Sequence, residues 1–345
     1  MRDSGVRIQP ANLQDVCDAL VAASAQNARA PEIDLSRLNR IVEHTAEDMT
    51  ATVEAGLTLA AFQAHLDKHR QWLPIDPPDA ARLTIGELLS TNASGPRRFG
   101  YGAIREYLIG VKVALADGHM IKAGGKVVKN VAGYDLCKLF VGSRGSLGVI
   151  IEATFKLRPQ PEAEMFVQAE CESLENAGAL LEIVLESELT PVVLDLHNLS
   201  GRSLLHPHSL PSAPTALGRG EVWEGGARSA TCFIVLGFAG THEEVDWQLA
   251  RARDLNLGEP SSLDYETRFW TEEPVAPRHR LSVLPSRLTQ AISVLGDVPF
   301  VARAGNGMIY YHGGPEPLGE GLPVELMQRV KDAYDPKHIL PELPI

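Results

Sequence analysis

Leu13, Val16, Leu20 and Ala23 recur with the spacing of one helical face, and Asn12 stands where a helix N-cap belongs, so the pattern predicts a helix over 13–25. A polar link, Ser24-Ala25-Gln26-Asn27-Ala28-Arg29, leads to Pro31. The period then shortens to two. Ile33-Asp34-Leu35, Arg40-Ile41-Val42-Glu43-His44 and Thr50-Ala51-Thr52-Val53-Glu54 alternate like short strands, and Gly56 ends the last. Thr58 to His69 returns to an amphipathic helical pattern, and Trp72 to Ala81 is a proline-rich loop. Leu108 to Leu115 predicts a strand, Asp117-Gly118 a hairpin turn, and His119 to Lys122 the returning strand. Tyr134 to Val141 predicts a short helix. Gly148 to Leu157 predicts a β-branched strand, stopped by Arg158-Pro159-Gln160-Pro161, where the pattern places a domain boundary.

Beyond the prolines, strands are predicted over 166–171, 191–196, 230–238, 280–284, 300–304 and 308–312. Helices are predicted over 174–189, over 241–255 with Thr241 as cap, from a Ser286 cap to Val294, and over 324–334. Asn198 to Ser229, rich in Ser, Pro and Gly, reads as a loop or hairpin. Alternating strands and helices of this kind predict a second α+β domain, and no repeat of 20–50 residues is present.

A chain of 345 residues is too long for one ordinary core. Hydrophobic content of 44% with 22% charged residues is that of a soluble globular protein. No apolar run approaches the roughly 20 residues of a membrane span, and the polar start lacks a signal-peptide core, so a cytoplasmic location is expected. Cys17, Cys137, Cys171 and Cys232 are too scattered for a metal or redox motif. The net charge of −12 argues against nucleic acid as the main partner.

Against that background one region stands out. Thr84 to Gly148 holds 12 of the 30 glycines, and nine Lys/Arg against four Asp/Glu. Thr84-Ile85-Gly86, Ser94-Gly95, Gly100-Tyr101-Gly102 and the run Gly142 to Gly148 read as four clustered turns. Glycine lets backbone N–H groups approach a phosphate without a side chain in the way. Ser94, Ser143 and Ser146 offer hydroxyls; Arg97 and Arg98 offer charge. Neither a P-loop nor a G-x-G-x-x-G between strand and helix is present. The plainer reading is that these glycines only punctuate a turn-rich domain.

Here the chain resembles a known family. From about Leu35 to Pro161 it is similar to the FAD-binding domain of the vanillyl-alcohol oxidase / p-cresol methylhydroxylase (PCMH-type) superfamily. The likeness rests on Thr84-Ile85-Gly86, Asn92-Ala93-Ser94-Gly95, Arg98-Phe99-Gly100-Tyr101-Gly102, Asp117-Gly118, Lys129-Asn130-Val131-Ala132-Gly133-Tyr134-Asp135-Leu136 and the run Gly142 to Ile150. Gly125 to Asp135, Leu281 to Ser286 and Asp335 to Leu340 look like the family of small FAD-binding subunits of bacterial glycolate oxidase. The resemblance implies an α+β fold: a two-lobed FAD-binding domain over 1–160 (lobes about 1–56 and 57–160), an α+β cap domain over 161–320, and a helix and tail over 321–345 returning to the FAD domain. It implies noncovalent FAD, with Thr84, Ile85, Gly86, Asn92, Ser94, Gly95, Arg98, Gly100 and Gly102 forming one wall, extended by Ser143, Gly145, Gly148 and Ile150.

The chain departs from that family in two places. Where the family follows its first helix with a strand and a glycine- or serine-rich pyrophosphate loop, this chain has Ala23 to Pro31 without glycine. Where the family follows its Asp-Pro with Asn-Pro-Gly-Arg, this chain has Leu340-Pro341-Glu342-Leu343-Pro344-Ile345. No catalytic base is assigned. His197, His206, His208, His279, His312 and His338 are too scattered for a metal site and read as surface or structural residues. Trp223, Trp247 and Trp270 read as cap core or interface residues. Lys126 and Lys129 either approach the flavin or lie on a solvated hairpin face.

The function expected from the resemblance is that of an FAD-binding subunit of a glycolate oxidase complex. It would work beside a larger catalytic flavin subunit and an iron–sulfur subunit in oxidising a small 2-hydroxy acid, glycolate, to glyoxylate. Any membrane association would be peripheral, at the inner face and through these partners. The alternative is a degenerate, noncatalytic subunit of the same complex that keeps the fold and binds FAD weakly or not at all.

Overall fold

A computed structural model of the chain describes residues 6–125, 135–199, 231–271, 277–316 and 323–343. The chain divides into two compact units, Met1–Gln160 with Gly319–Ile345, and Pro161–Leu318.

The first unit is built on a five-stranded antiparallel sheet in the order Ile41–Thr45, Thr50–Glu54, Val149–Lys156, Leu108–Ala114, Met120–Gly124. Thr50–Glu54 is buried along its whole length, so its polar side chains need partners there. Thr52 pairs with Thr154 across the strands, and their buried hydroxyls are 2.9 Å apart. Phe62 and Leu66 of one helix, Leu59–Asp67, and Ile85, Leu88 and Leu89 of another, Ile85–Thr91, pack into one core with Val111, Val113, Ala153 and Phe155.

Helix Leu13–Ala25 forms as its periodicity predicts. Asn12 and Asp15 close a capping box, and Val16, Leu20 and Ala23 turn into a second core with Ala114, Ala116, Ile151, Ile339 and Leu340. The Asp117-Gly118 hairpin tip lies against this helix. Gly118 has φ +81, and a Cβ there would fall 2.2 Å from Val21 Cγ2, so conformation and space both require glycine.

Some local expectations change. The strand expected over 33–35 is only Glu32–Ile33, paired in parallel with Arg7–Ile8. The helix expected over 134–141 is a single 3₁₀ turn, Leu136–Leu139. Thr84-Ile85-Gly86 is not a turn: it opens helix Ile85–Thr91, in which the helical spacing of Ile85, Leu88 and Leu89 outweighs the glycine. Gly100 lies inside a short helix, Arg98–Tyr101, rather than a turn.

Helix Val324–Tyr334 carries the deepest charge in this unit. Lys331 and Asp335 are both buried. Lys331 Nζ donates to Asp335 Oδ2 at 2.6 Å, Ser146 O at 2.9 Å, Pro341 O at 2.9 Å and Leu340 O at 3.4 Å. Asp335 in turn accepts from the Ile339 and Leu340 amides at 3.0 and 2.9 Å.

The second unit has a seven-stranded antiparallel sheet in the order Glu259–Pro260, Ala163–Cys171, Cys232–Gly240, Val193–His197, Phe300–Arg303, Met308–His312, Arg278–Ser282. Ser173 caps helix Leu174–Glu186, and Thr241 caps helix His242–Asp254 with Glu244 completing a capping box. Ser286 is not a cap: it sits inside a 3₁₀ turn, Pro285–Arg287, and helix Leu288–Leu295 follows without a side-chain cap bond. The loop or hairpin expected over 198–229 falls almost wholly outside the described residues.

Lys331→Met would strand the Asp335 carboxylate and remove the donor from three carbonyls, so it should cost about 3–5 kcal/mol. Urea unfolding of the full chain should show the loss as a lowered midpoint at unchanged slope.

Candidate functional site

The glycine-rich region is assembled around helix Ile85–Thr91. At its start Thr84 and Glu87 form a capping box: Thr84 Oγ1 accepts from the Glu87 amide, and Glu87 Oε2 accepts from the Thr84 amide at 2.9 Å. The Ile85 amide donates to Leu57 O at 2.8 Å and the Gly86 amide to Ala55 O at 2.7 Å. Thr84, Ile85 and Gly86 therefore have no uncommitted amide for a phosphate. The Glu87 carboxylate also occupies the positive helix end where an anion would otherwise bind.

The other end of the same helix is different. Asn92 ends it in the left-handed conformation, φ +53, and its Oδ1 is buried without a hydrogen-bond partner among the described residues. The turn Gly142–Gly148 is bonded to this end, with the Gly142 amide donating to Leu89 O at 2.9 Å and the Arg144 amide to Ser90 O at 2.8 Å. Gly142 and Gly145 have φ +82 and +78. Among the described residues, a Cβ at Gly142 would meet only Asn92 Cβ at 3.6 Å and one at Gly145 only Pro341 Cγ at 3.8 Å, both ordinary contact distances. Ser146 is fully buried, and its Oγ has no partner among the described residues. Ser143 Oγ is committed to Phe140 O at 2.8 Å.

The remaining anticipated wall residues are held by the protein itself. Ser94 Oγ accepts from Arg98 at 3.2 Å. A Cβ at Gly95 would fall 1.9 Å from Asp76 O, and one at Gly148 2.6 Å from Val113 Cγ1, so these glycines permit close approach of chain to chain. Gly102, φ +85, faces the Glu106 carboxylate, Gly100 is exposed, and Ile150 lies in the core. Lys126, Lys129 and the stretch 126–134 lie outside the described residues.

The glycine-free link after the first helix is met by the C-terminal tail. The Ala30 amide donates to Ile339 O at 2.8 Å, Lys337 Nζ to Ser24 O at 2.8 Å, and Arg29 pairs with Glu342 at 2.8 Å. Through Pro341 the same tail reaches Gly145. Residues 337–342 thus bridge the short link and the Gly142–Gly148 turn.

Residues 31–124 match the model of a family described as FAD binding domain (FAD_binding_4). That match lies wholly within the first unit, and the family is of the PCMH type. Over its matched regions the chain is 34% identical to glycolate oxidase subunit GlcD of Bacillus subtilis (strain 168), covering 52% of this chain and 38% of that protein. It is 34% identical to glycolate oxidase subunit GlcE of Escherichia coli (strain K12), covering 41% of each. It is 29% identical to the mitochondrial D-lactate dehydrogenase [cytochrome] of Arabidopsis thaliana, covering 63% of this chain and 38% of that protein. The matches span about two fifths of the length of these curated relatives. Among solved structures, alkyldihydroxyacetonephosphate synthase shares the fold, with a TM-score of 0.68 at 16% identity over 96% of this chain and 76% of that chain.

The first unit has one corner whose residues fit such a cofactor. Asn92 Oδ1 is an acceptor lacking a donor, Ser146 Oγ a hydroxyl lacking any partner among the described residues, and Gly142 and Gly145 lie beside them. Asn92 would accept from a hydroxyl of FAD and Ser146 Oγ would donate to it, because an unpaired buried polar group is costly until a ligand satisfies it; Gly142, its amide committed to Leu89 O, and Gly145 would only flank them.

Beyond the FAD-binding domain, the second unit contains a buried polar group that sequence reasoning missed. Arg303, buried, donates to both Asp195 and Glu266, and Tyr265 Oη donates to Asp195 Oδ2 at 2.7 Å. Trp270 Nε1 donates to Glu266 at 2.7 Å, so this half-buried tryptophan serves the network, while Trp247 is exposed. Burial pushes the Asp195 carboxyl up to about 6, against the pull of Arg303. Two residues along the same strand, His197 stacks on Tyr265 at 4.3 Å. Its Nδ1 accepts from the Leu199 amide at 3.2 Å, which leaves the proton on Nε2. That Nε2 and Arg268 Nε are buried donors without partners among the described residues. Both residues line a cavity of about 710 Å³ with Gln168, Phe233, Ser261 and Tyr265. Asp264 lines the same cavity, so its charge opposes that of the Arg268 guanidinium there. The available signal was Asp195 and His197 at alternate positions of an otherwise apolar strand.

Of the other histidines, His312 is buried with Nε2 3.2 Å from Phe269 O, and His338 lies 3.5 Å from Asp332. His206, His208 and Trp223 lie outside the described residues.

Burial and the nearby Arg268 drive His197 down to about 3, from an ordinary value of 6.5. The unfolded chain therefore takes up its proton first as pH falls. The contribution of neutral His197 is complete above 6.5 and lost as pH drops toward 3, with a slope of up to about 1.4 kcal/mol per pH unit. A His197→Gln variant should show a shallower acid limb in stability-versus-pH curves from chemical denaturation.

Proposed function

We propose that the chain is an FAD-binding subunit of a glycolate oxidase or glycolate dehydrogenase complex. In this reading it supports oxidation of glycolate, a small 2-hydroxy acid, to glyoxylate, beside a larger catalytic flavin subunit and an iron–sulfur subunit. The observation that carries the reading is that the chain matches proteins named as two subunits of glycolate oxidase, GlcD and GlcE. D-Lactate and D-2-hydroxyglutarate dehydrogenases among the relatives point to the same substrate class. No helix among the described residues is long and apolar enough to cross a membrane, which agrees with attachment, if any, through partners.

Bound FAD would accept the two electrons released when a 2-hydroxy acid becomes a 2-oxo acid. The chain's own contribution to holding it would come from Asn92 and Ser146, flanked by Gly142 and Gly145. No residue is assigned as base.

One observation favours a second reading, a noncatalytic subunit with weak or no FAD binding. The amides of Thr84 to Gly86 are all committed, Glu87 places a negative charge at that helix start, and the link after the first helix brings no glycine.

The two readings separate on colour. Purified alone and with its partners, with FAD supplied, the chain should show visible flavin absorption and release FAD on denaturation; a colourless protein in every case supports the noncatalytic subunit. Gly145→Val, which places a branched side chain at φ +78 next to Pro341, should abolish flavin retention while the second unit stays folded by circular dichroism. Unchanged flavin content in that variant would move the cofactor away from this corner.

A further inference from the structure

Apart from the Asn92 corner and the buried network, the first unit brings together three histidines that are distant in sequence. His44 lies on strand Ile41–Thr45, His65 on helix Leu59–Asp67, and His69 one turn further along the same chain direction. One ring nitrogen from each falls within 4.8 Å of the others. His44 Nδ1 and His65 Nε2 are 3.2 Å apart. Two imidazole nitrogens on a tetrahedral zinc, each at about 2.0–2.1 Å, stand about 3.3 Å apart. The rings meet edge-on or tilted, with interplanar angles of 62°, 86° and 43°, so their nitrogens converge without ring stacking.

The surroundings fix which nitrogen of His44 is available. Gln71 Nε2 donates to Ala46 O at 2.7 Å, so its Oε1 is the end 2.9 Å from His44 Nε2. His44 Nε2 therefore carries the proton, and Nδ1 keeps its lone pair toward His65. An imidazole whose far N–H is held by a carbonyl oxygen is the usual arrangement of a metal-bound histidine. Gln71 is itself buried, so it holds the ring from a fixed position.

We infer that His44, His65 and His69 form a binding site for a divalent cation of the zinc class. Three neutral nitrogens without thiolate or carboxylate suit zinc, copper or nickel rather than calcium or magnesium. Three protein ligands leave the fourth position to water. The cation would tie the edge strand of the five-stranded sheet to helix Leu59–Asp67.

The competing arrangement is a hydrogen-bonded histidine cluster, with His65 Nε2–H donating to His44 Nδ1 and no affinity for metal. Tag-free full-length protein, stripped with chelator, should be titrated with cobalt chloride and then zinc chloride. The site predicts one cobalt ion per chain with the visible bands of a four-coordinate complex, displacement by zinc, and a melting temperature raised by zinc. His65→Asn should abolish all three. His69→Ala, at an exposed position, should do the same while leaving metal-free melting unchanged. Gln71→Leu should keep one site but weaken it about 10- to 100-fold. His279→Gln, in the other unit, should change nothing. Identical titrations for wild type and His69→Ala, or nonsaturating uptake by the wild type, would overturn the assignment and leave the hydrogen-bonded cluster.

Discussion

The architecture of the corner formed by Asn92 and the Gly142–Gly148 turn depends on one buried ion pair, Lys331–Asp335. Its ammonium reaches Ser146 O, 185 positions earlier in the chain, as well as the carbonyls of Leu340 and Pro341. Burying two charges is unfavourable unless their remaining hydrogen bonds are satisfied. Here Lys331 is surrounded by oxygens and Asp335 accepts two tail amides, so helix, tail and glycine turn are fixed together. The tail then makes the contacts to Ser24, Arg29 and Ala30 that compensate for the short link after the first helix. The end of the sequence thus sets the shape of a site whose motif lies near its middle.

The glycines of that region have two physical roles, which composition alone does not separate. Gly95, Gly118 and Gly148 let one part of the protein lie against another, since a Cβ at each would fall well inside contact distance. Gly142 and Gly145 need their positive φ, and a Cβ at either would make only ordinary contacts with the described residues. Only the second kind leaves room for a ligand among the described residues. Beside them lie two buried polar atoms without partners among the described residues, Asn92 Oδ1 and Ser146 Oγ. If these atoms receive a cofactor, its wall is narrower than the motif and sits at the C-terminal end of helix Ile85–Thr91, away from its capped start.

Much of the fold was legible because local signals agreed with tertiary need. Asn12 and the Leu13–Ala23 face, the Asp117-Gly118 hairpin and the Thr50–Glu54 alternation all appear where the pattern puts them. Helix Ile85–Thr91 is hard to see in the sequence because Gly86 argues for a turn, although Ile85, Leu88 and Leu89 carry helical spacing. Of the anticipated wall, Asn92 and Gly145 are brought together, with Gly142 and Ser146, which were not anticipated in it, beside them, whereas Thr84, Ile85, Gly86, Ser143 and Gly148 are tied into the scaffold. The commitment of an amide to a distant carbonyl leaves no trace in sequence. Nor does the convergence of His44 with His65 and His69, or of Asp195 with Arg303, because each depends on strand register and helix placement across long separations.

If Asn92 and the Gly142–Ser146 turn hold a hydroxyl-bearing part of the cofactor, the Thr84–Gly86 helix start stays out of contact with it. Hydrogen exchange of the full chain, resolved to peptides and compared with and without added FAD, tests that directly. Slowed exchange confined to Asn92 and Gly142–Leu147, with helix Ile85–Thr91 unchanged at its start, is the predicted result. New protection at Thr84–Glu87, or none in the Gly142–Leu147 peptides, would contradict it.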